Sequence, residues 1–286
     1  MRRYVTTLLL LAALLPTAVR AGEPADAKPL CPLFTAVEFE VGGSELIDTY
    51  LAPWSYKGWS LAVGAEWMRA MPIEKYRWVW QQQLRVNFAR TRLRISGSGL
   101  TDAGSLHYAF AMMRYSELSL KGLRLYYGTD MTLTAGALYN YHGGNNPVSV
   151  KADMSWGLTA MAVYDFKLGR LPVTARYQLS LPVVGVFAQP EYAESYYEVS
   201  LGNYENFLHA GTWATRFDMT NRLTIDFRFA SWALRVGYGN TIYTTYTAGN
   251  RYQWVSHHFV VGFAGDLLRW SAGNKDRRVC RALYTL

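Results

Sequence analysis

The chain has 286 residues, of which 50% are hydrophobic, 15% aromatic and only 17% charged, and its formal net charge is +8. Beyond the first twenty residues no stretch has the length and apolar purity of a spanning helix, so a helical membrane protein is excluded. Much of the basic charge sits on alternate strand positions rather than in a patch interleaved with stacking aromatics, which removes nucleic acid from the partners.

Residues 1–21 read as a cleaved export signal. Arg2 and Arg3 supply its positive region, Leu8 to Leu15 its apolar core, and Val19, Arg20 and Ala21 a small-residue cleavage site before Gly22. Cleavage would leave 265 residues, 26 basic and 21 acidic, with a charge of +5. Residues 22–33 form a periplasmic lead-in, and residues 34–270 carry the rhythm of extended hairpins. The pattern predicts ten strands, at about 34–43, 57–70, 76–93, 104–117, 122–141, 150–166, 172–187, 214–229, 232–246 and 252–268, with eight to twelve compatible with it. Four connections are short: Met71 to Lys75, Leu118 to Lys121, Lys167 to Leu171, and Ala230 to Ser231. Those over Ser44 to Tyr56, Tyr141 to Ser149 and Ala188 to Trp213 are longer. Alternating short and long connections are the habit of bacterial outer-membrane barrels, with short periplasmic turns and longer outer loops. Residues 271–286 are a basic tail that either folds beneath the barrel or pairs locally over Val279 to Leu286.

The hairpin over Phe217 to Thr245 shows which face is which. In Leu223, Thr224, Ile225, Asp226, Phe227, Arg228, Phe229, apolar and polar residues alternate strictly, and Trp232, Leu234, Val236 and Tyr238 then alternate with Arg235, Gly237 and Gly239. A period of two means extended backbone with side chains on opposite faces. One oily face and one ionic face suit a closed antiparallel transmembrane β-barrel, lipid outside and ions inside.

The same alternation aims Trp59, Leu61, Val63, Leu84, Val86, Phe88, Leu158, Val255, Phe259, Val261 and Phe263 outward. It aims a charge network into the lumen: Glu38, Glu40, Glu66, Arg85, Arg124, Asp130, Asp153, Arg176, Asp226, Arg228 and Arg235. A ten-stranded barrel is narrow, so opposite charges there should pair and fill it. Aromatic belts are expected at both rims. Trp67, Trp78, Trp80, Tyr164, Phe166, Trp232 and Trp270 form the periplasmic one; Trp59, Tyr139, Tyr141, Trp156, Phe187, Trp213, Tyr243 and Trp254 form the outer one.

Two cysteines, Cys31 before the first strand and Cys280 beyond the last, would meet at the periplasmic rim as a disulfide or remain as two thiols. The five histidines, His107, His142, His209, His257 and His258, are placed on outer loops or outer strand ends. A rim hydrolase would draw on His209 with Asp218, or on His258 with Ser256. No nucleophile-elbow, metal-ligand or phosphate-loop motif accompanies them, so no cofactor and no metal are expected. The loop from Glu191 to Leu208, with Tyr192, Tyr196, Tyr197 and Tyr204, is the place for recognition of a surface ligand.

Leu208, His209, Trp213, Asp218, Met219, Asn221, Leu223, Thr224 and Asp226, then Leu234, Arg235, Val236, Gly237 and Tyr238, and the strand Ser256 to Gly262, carry a resemblance. Over this C-terminal third the chain resembles an uncharacterised family of exported barrel-like proteins from Gram-negative gut bacteria that carries a domain of unknown function. The resemblance implies an outer-membrane setting and supplies neither a substrate nor catalytic residues. The expectation is therefore an exported outer-membrane barrel, bilayer-embedded and non-enzymatic, with a structural or surface-binding role and a lumen filled by side chains. The alternatives are an outer-rim hydrolase using His209 or His258, and a narrow pore.

Overall fold

The structure, a computed structural model, describes residues 33–117, 122–144, 147–190, 201, 207–229, 232–247 and 249–266. It contains eleven strands: β1 (Phe34–Asp48), β2 (Ala52–Met71), β3 (Trp78–Leu93), β4 (Leu100–Glu117), β5 (Leu123–Asn140), β6 (Val148–Leu168), β7 (Leu171–Ala188), β8 (Leu208–Thr212), β9 (Arg216–Arg228), β10 (Trp232–Thr247) and β11 (Asn250–Asp266). Each strand pairs antiparallel with its neighbour, and β1 pairs with β11 from Phe34↔Asp266 to Asp48↔Tyr252. That last ladder closes the sheet into a barrel, and only the short β8 keeps an edge without a ladder partner.

The wall has ten positions, and one is filled by two pieces. The lower part of β7 pairs with β9, Val173↔Phe227 to Ser180↔Thr220, whereas its upper part pairs with β8, Val184↔Thr212 to Ala188↔Leu208. The expected eighth strand, 214–229, is β9, and β8 is an added piece inside the stretch expected to be loop, separated from β9 by residues 213–215.

The outer loop expected over Ser44 to Tyr56 shrinks to residues 49–51, and β10 joins β11 through 248–249 alone. The expected longer connections persist at 141–147 and, longest, at 189–207. The period of two runs straight through Ser44–Asp48 and Ala52–Tyr56, which extends β1 and β2 past the expected ends. Loop length is therefore not sorted by rim as cleanly as the sequence suggests.

Side-chain alternation survives almost everywhere. Val37, Phe39, Val41, Trp59, Val63, Val86, Phe88, Leu158, Phe259, Val261 and Phe263 stand exposed on the outer surface. On β2 that surface reads Trp59, Leu61, Val63, Ala65, Trp67, bracketed by Lys57 and Arg69; on β4 it reads Gly104, Leu106, Tyr108, Phe110, Met112, bracketed by Asp102 and Arg114. An uncharged band between charges twelve residues apart matches the roughly nine to eleven tilted residues that cross a hydrocarbon layer.

Three rings of the expected outer belt are corrected. Tyr243 and Trp254 lie an even number of residues from Arg235 and His258 on uninterrupted strands, and all four face the interior. Phe187 is buried inside because the β6–β7 register shifts at Trp156/Gly157. The extra residue, Val183, exchanges the faces of β7, so Arg176 and Gln178 point inward below it and Phe187 above it.

Candidate functional site

The interior is stacked in layers. Nearest the turn end, Phe34, Met68, Val79, Met113, Met161 and Val163 pack with Ala36, Ala70 and Tyr126 into an apolar plug. At the loop end Leu46, Tyr56, Ala89, Ala103, Leu138 and Tyr252 form a second cluster. Between them lie the ions.

Arg235, wholly buried, is the hub of the middle layer. Its Nε and Nη2 donate to the two Asp226 carboxylate oxygens at 2.6 and 2.7 Å, and its Nη1 reaches Glu38 Oε1 at 2.7 Å and Glu66 Oε2 at 2.8 Å. Arg176 grips Glu66 with both terminal nitrogens, at 2.5 and 2.6 Å. Arg222 bonds Glu38 and, at 3.0 Å, Glu40, while Arg85 Nε lies 3.2 Å from Glu40. Gln81 and Gln178 exchange amide hydrogen bonds beside Glu66. Four carboxylates and four guanidiniums thus balance, and bidentate geometry offsets much of the desolvation penalty of each charge.

Above this layer Arg216 Nη2 donates to Asp153 and Asp218, both at 2.8 Å, and the guanidinium lies 5.0 Å from the Tyr243 ring. Lys151 Nζ sits 3.1 Å from Asp48 and 4.7 Å from the Tyr252 ring. Asp130 accepts from Ser180. Near the turn end Asp165 is shared by Arg124, Arg228 and Thr174. Among the described residues, cavities of about 80 Å³ beside Lys151, Asp153, Asp218 and Tyr243 and about 40 Å³ beside Asp130, Gln178 and Arg222 lie between these ions. Each has room for a few waters.

Of the expected lumen residues, Glu38, Glu40, Glu66, Arg85, Arg176, Asp226 and Arg235 fall in one connected network; Asp130 and Asp153 lie above it, and Arg124 and Arg228 below. The sequence reading omitted Arg222, Arg216, Asp165, Asp48 and Lys151. Parity alone would have found four of them, because Arg216 and Arg222 share the even positions of β9 with Asp226, and Lys151 and Asp165 share the odd positions of β6 with Asp153. Asp48 lies beyond the expected end of the first strand.

The proposed hydrolase pairs do not form. His209 engages the Gln189 carbonyl at 2.8 Å and Thr247 at 3.3 Å, whereas Asp218 belongs to Arg216. His258 is in the lumen rather than on the rim, and its partners are not Ser256. Its Nε2 hydrogen-bonds Ser60 Oγ at 2.7 Å, and its Nδ1 lies 3.3 Å from Glu40 Oε2. Ser60 and His258 sit on the strands flanking β1, both opposite Gly42, whose missing side chain lets them touch. The order carboxylate, imidazole, hydroxyl resembles a nucleophilic triad. Ser60 is 1% exposed and lines neither of the two cavities described above. Cys31, Cys280, the loop tyrosines Tyr192, Tyr196, Tyr197 and Tyr204, Trp270 and the basic tail lie outside the described residues.

A family described as a protein of unknown function (DUF3316) matches residues 6–274. The chain belongs to this family. The match runs over nearly the whole length, not the C-terminal third alone, and assigns no host organism. No curated protein matches the chain. Among solved structures, the translocator domain of autotransporter NalP from Neisseria meningitidis is 10% identical, covers 93% of this chain and 96% of its own, and has a TM-score of 0.42. An outer-membrane channel from Pseudomonas putida F1 is 11% identical over 85% of this chain and 100% of its own, with a TM-score of 0.33. Neisserial surface protein A is 10% identical over 82% and 97%, with a TM-score of 0.29. At these scores the likenesses carry nothing about role.

Proposed function

We propose that this member of the family is an exported outer-membrane barrel that does not conduct and is not an enzyme, serving a structural or surface-binding role. The observation that carries the reading is the filled interior: a charge-balanced layer of four acids and four arginines closed beneath by an apolar plug. A conducting pore needs a continuous wet path, and ions held in bidentate pairs leave none. The uncharged outer band, bracketed by charges on β2 and β4, supports a bilayer as the barrel's partner. Recognition of a surface ligand then belongs to the loop end, where β7 ends at Ala188 and β8 begins at Leu208.

Planar-bilayer recording of the purified barrel tests the central claim. Only leak noise is expected, and a steady unitary conductance would replace this reading with the narrow pore. The hydrolase alternative is tested with phospholipid and peptide substrates. Turnover abolished by His209→Ala or His258→Ala would establish it, and no detectable turnover is expected.

A further inference from the structure

We propose that Lys57 and Arg92, two outward-facing cations at the loop-end margin of the apolar band, form a binding site for the phosphate of a membrane-lipid headgroup. The proposal rests on the membrane reading above and adds a ligand to it.

The first argument is register. Lys57 on β2 stands directly opposite Arg92 on β3, and both side chains are exposed on the outer surface. Like charges facing each other across a ladder destabilise the sheet. A counter-charge would normally come from a neighbouring acid, but the local acids are engaged. Glu45, opposite Lys57 on β1, accepts from Ser55 Oγ at 2.7 Å and lies 3.5 Å from Arg94. Asp102 is held by both Arg90 donors at 2.8 Å and by the Tyr141 hydroxyl at 3.0 Å. Among the described residues, neither Lys57 nor Arg92 has a carboxylate within ion-pairing distance. Four cations and two acids leave this flank with a surplus of two positive charges.

Depth is the second argument. Lys57 is one outward step above Trp59, and Arg92 is two above Phe88, rings that contact each other at 5.6 Å on the lipid face. Tryptophan and tyrosine settle where hydrocarbon gives way to headgroups. Cations just beyond such rings lie at phosphate level, with their aliphatic stems along the apolar surface. Paired strand positions are about 5 Å apart, so one phosphate can take the guanidinium fork and the ammonium together. The feature is local to this flank: at the loop end of β6, β7 and β9 the outer surface instead exposes Trp156, Val184, Val186 and Phe217.

The test places wild type, K57Q/R92Q and R92E in phosphatidylcholine vesicles with and without added lipid A, a phosphorylated glycolipid. Flotation reports insertion, native mass spectrometry reports retained lipid A, and tryptophan fluorescence reports the unfolding midpoint. Wild type should retain lipid A about thirty-fold more tightly than K57Q/R92Q, about fivefold for each cation. R92E, which converts the repulsive pair into an attractive one, should raise the midpoint in phosphatidylcholine alone and abolish the lipid A effect. A wild type that floats but holds lipid A no better than K57Q/R92Q overturns the proposal and leaves the membrane reading intact. Displacement of lipid A by inorganic phosphate alone also overturns it, in favour of a free-anion site. Failure of the wild type to float in either vesicle overturns both.

Discussion

Arg235 shows what a single side chain does in this barrel. It donates to Asp226, Glu38 and Glu66 from a position with no access to solvent. Replacing it with methionine would leave Asp226, Glu38 and Glu66 one cation short, with only Arg176 and Arg222 still bonded to Glu66 and Glu38 among the arginines of that layer. Breaking a buried ion pair from one side costs about 3–5 kcal/mol, so Arg235→Met should lower unfolding stability by at least that much in urea titrations of vesicle-bound protein. The exposed Arg94–Glu45 pair, 3.5 Å apart, provides the contrast. Arg94→Met should change stability by less than about 1 kcal/mol, because solvent already screens both charges. Ser60→Ala separates a structural from a chemical role for the Ser60–His258–Glu40 chain. It should cost about 1 kcal/mol, the net value of one hydrogen bond, and leave substrate turnover undetectable before and after.

At the scale of the strand, the decisive variable is which face a residue occupies and how deep. Val63 is exposed in the middle of the β2 band, while Ile47 lies outward on β1 beyond the level of the Trp59 ring. Arginine at a bilayer midplane costs about 2–4 kcal/mol and near an interface about 0–1. Val63→Arg should therefore destabilise strongly and Ile47→Arg hardly at all, read from the same urea titrations in vesicles; equal effects would show that no bilayer surrounds the wall. The Val183 bulge belongs to this scale too. Deleting Val183 should restore simple alternation, turn Phe187 toward lipid and open a hole among the rings it packs against, including His209 at 5.4 Å. Reduced folded yield is the expected result, measured by the heat-dependent shift in gel mobility.

The whole molecule is held by closure. The β1–β11 ladder joins residues more than two hundred positions apart, and every strand but the short β8 then has hydrogen-bonded neighbours on both sides. Closure leaves the long strands no fraying edge from which unfolding can begin. Unheated samples in detergent should run as a compact species and shift on boiling, and a chain that runs identically before and after heating would contradict a closed wall.

Sequence alone determined the alternation, and with it the strands, the oily outer face and most of the ionic inner one. A period of two is a local property of the backbone, written in neighbours such as Asp226, Phe227 and Arg228. It could not reveal which ions meet. Glu66 and Arg176 are 110 positions apart, and Ser60 and His258 are 198, so only the rolling up of the sheet makes them partners. Nor could it locate the shift at Val183, which put Phe187 on the wrong face, because a one-residue insertion changes parity without changing composition. The placement of every ion was settled by tertiary structure for the same reason: facing is encoded residue by residue, whereas proximity across a lumen depends on where the closed ladder brings distant strands.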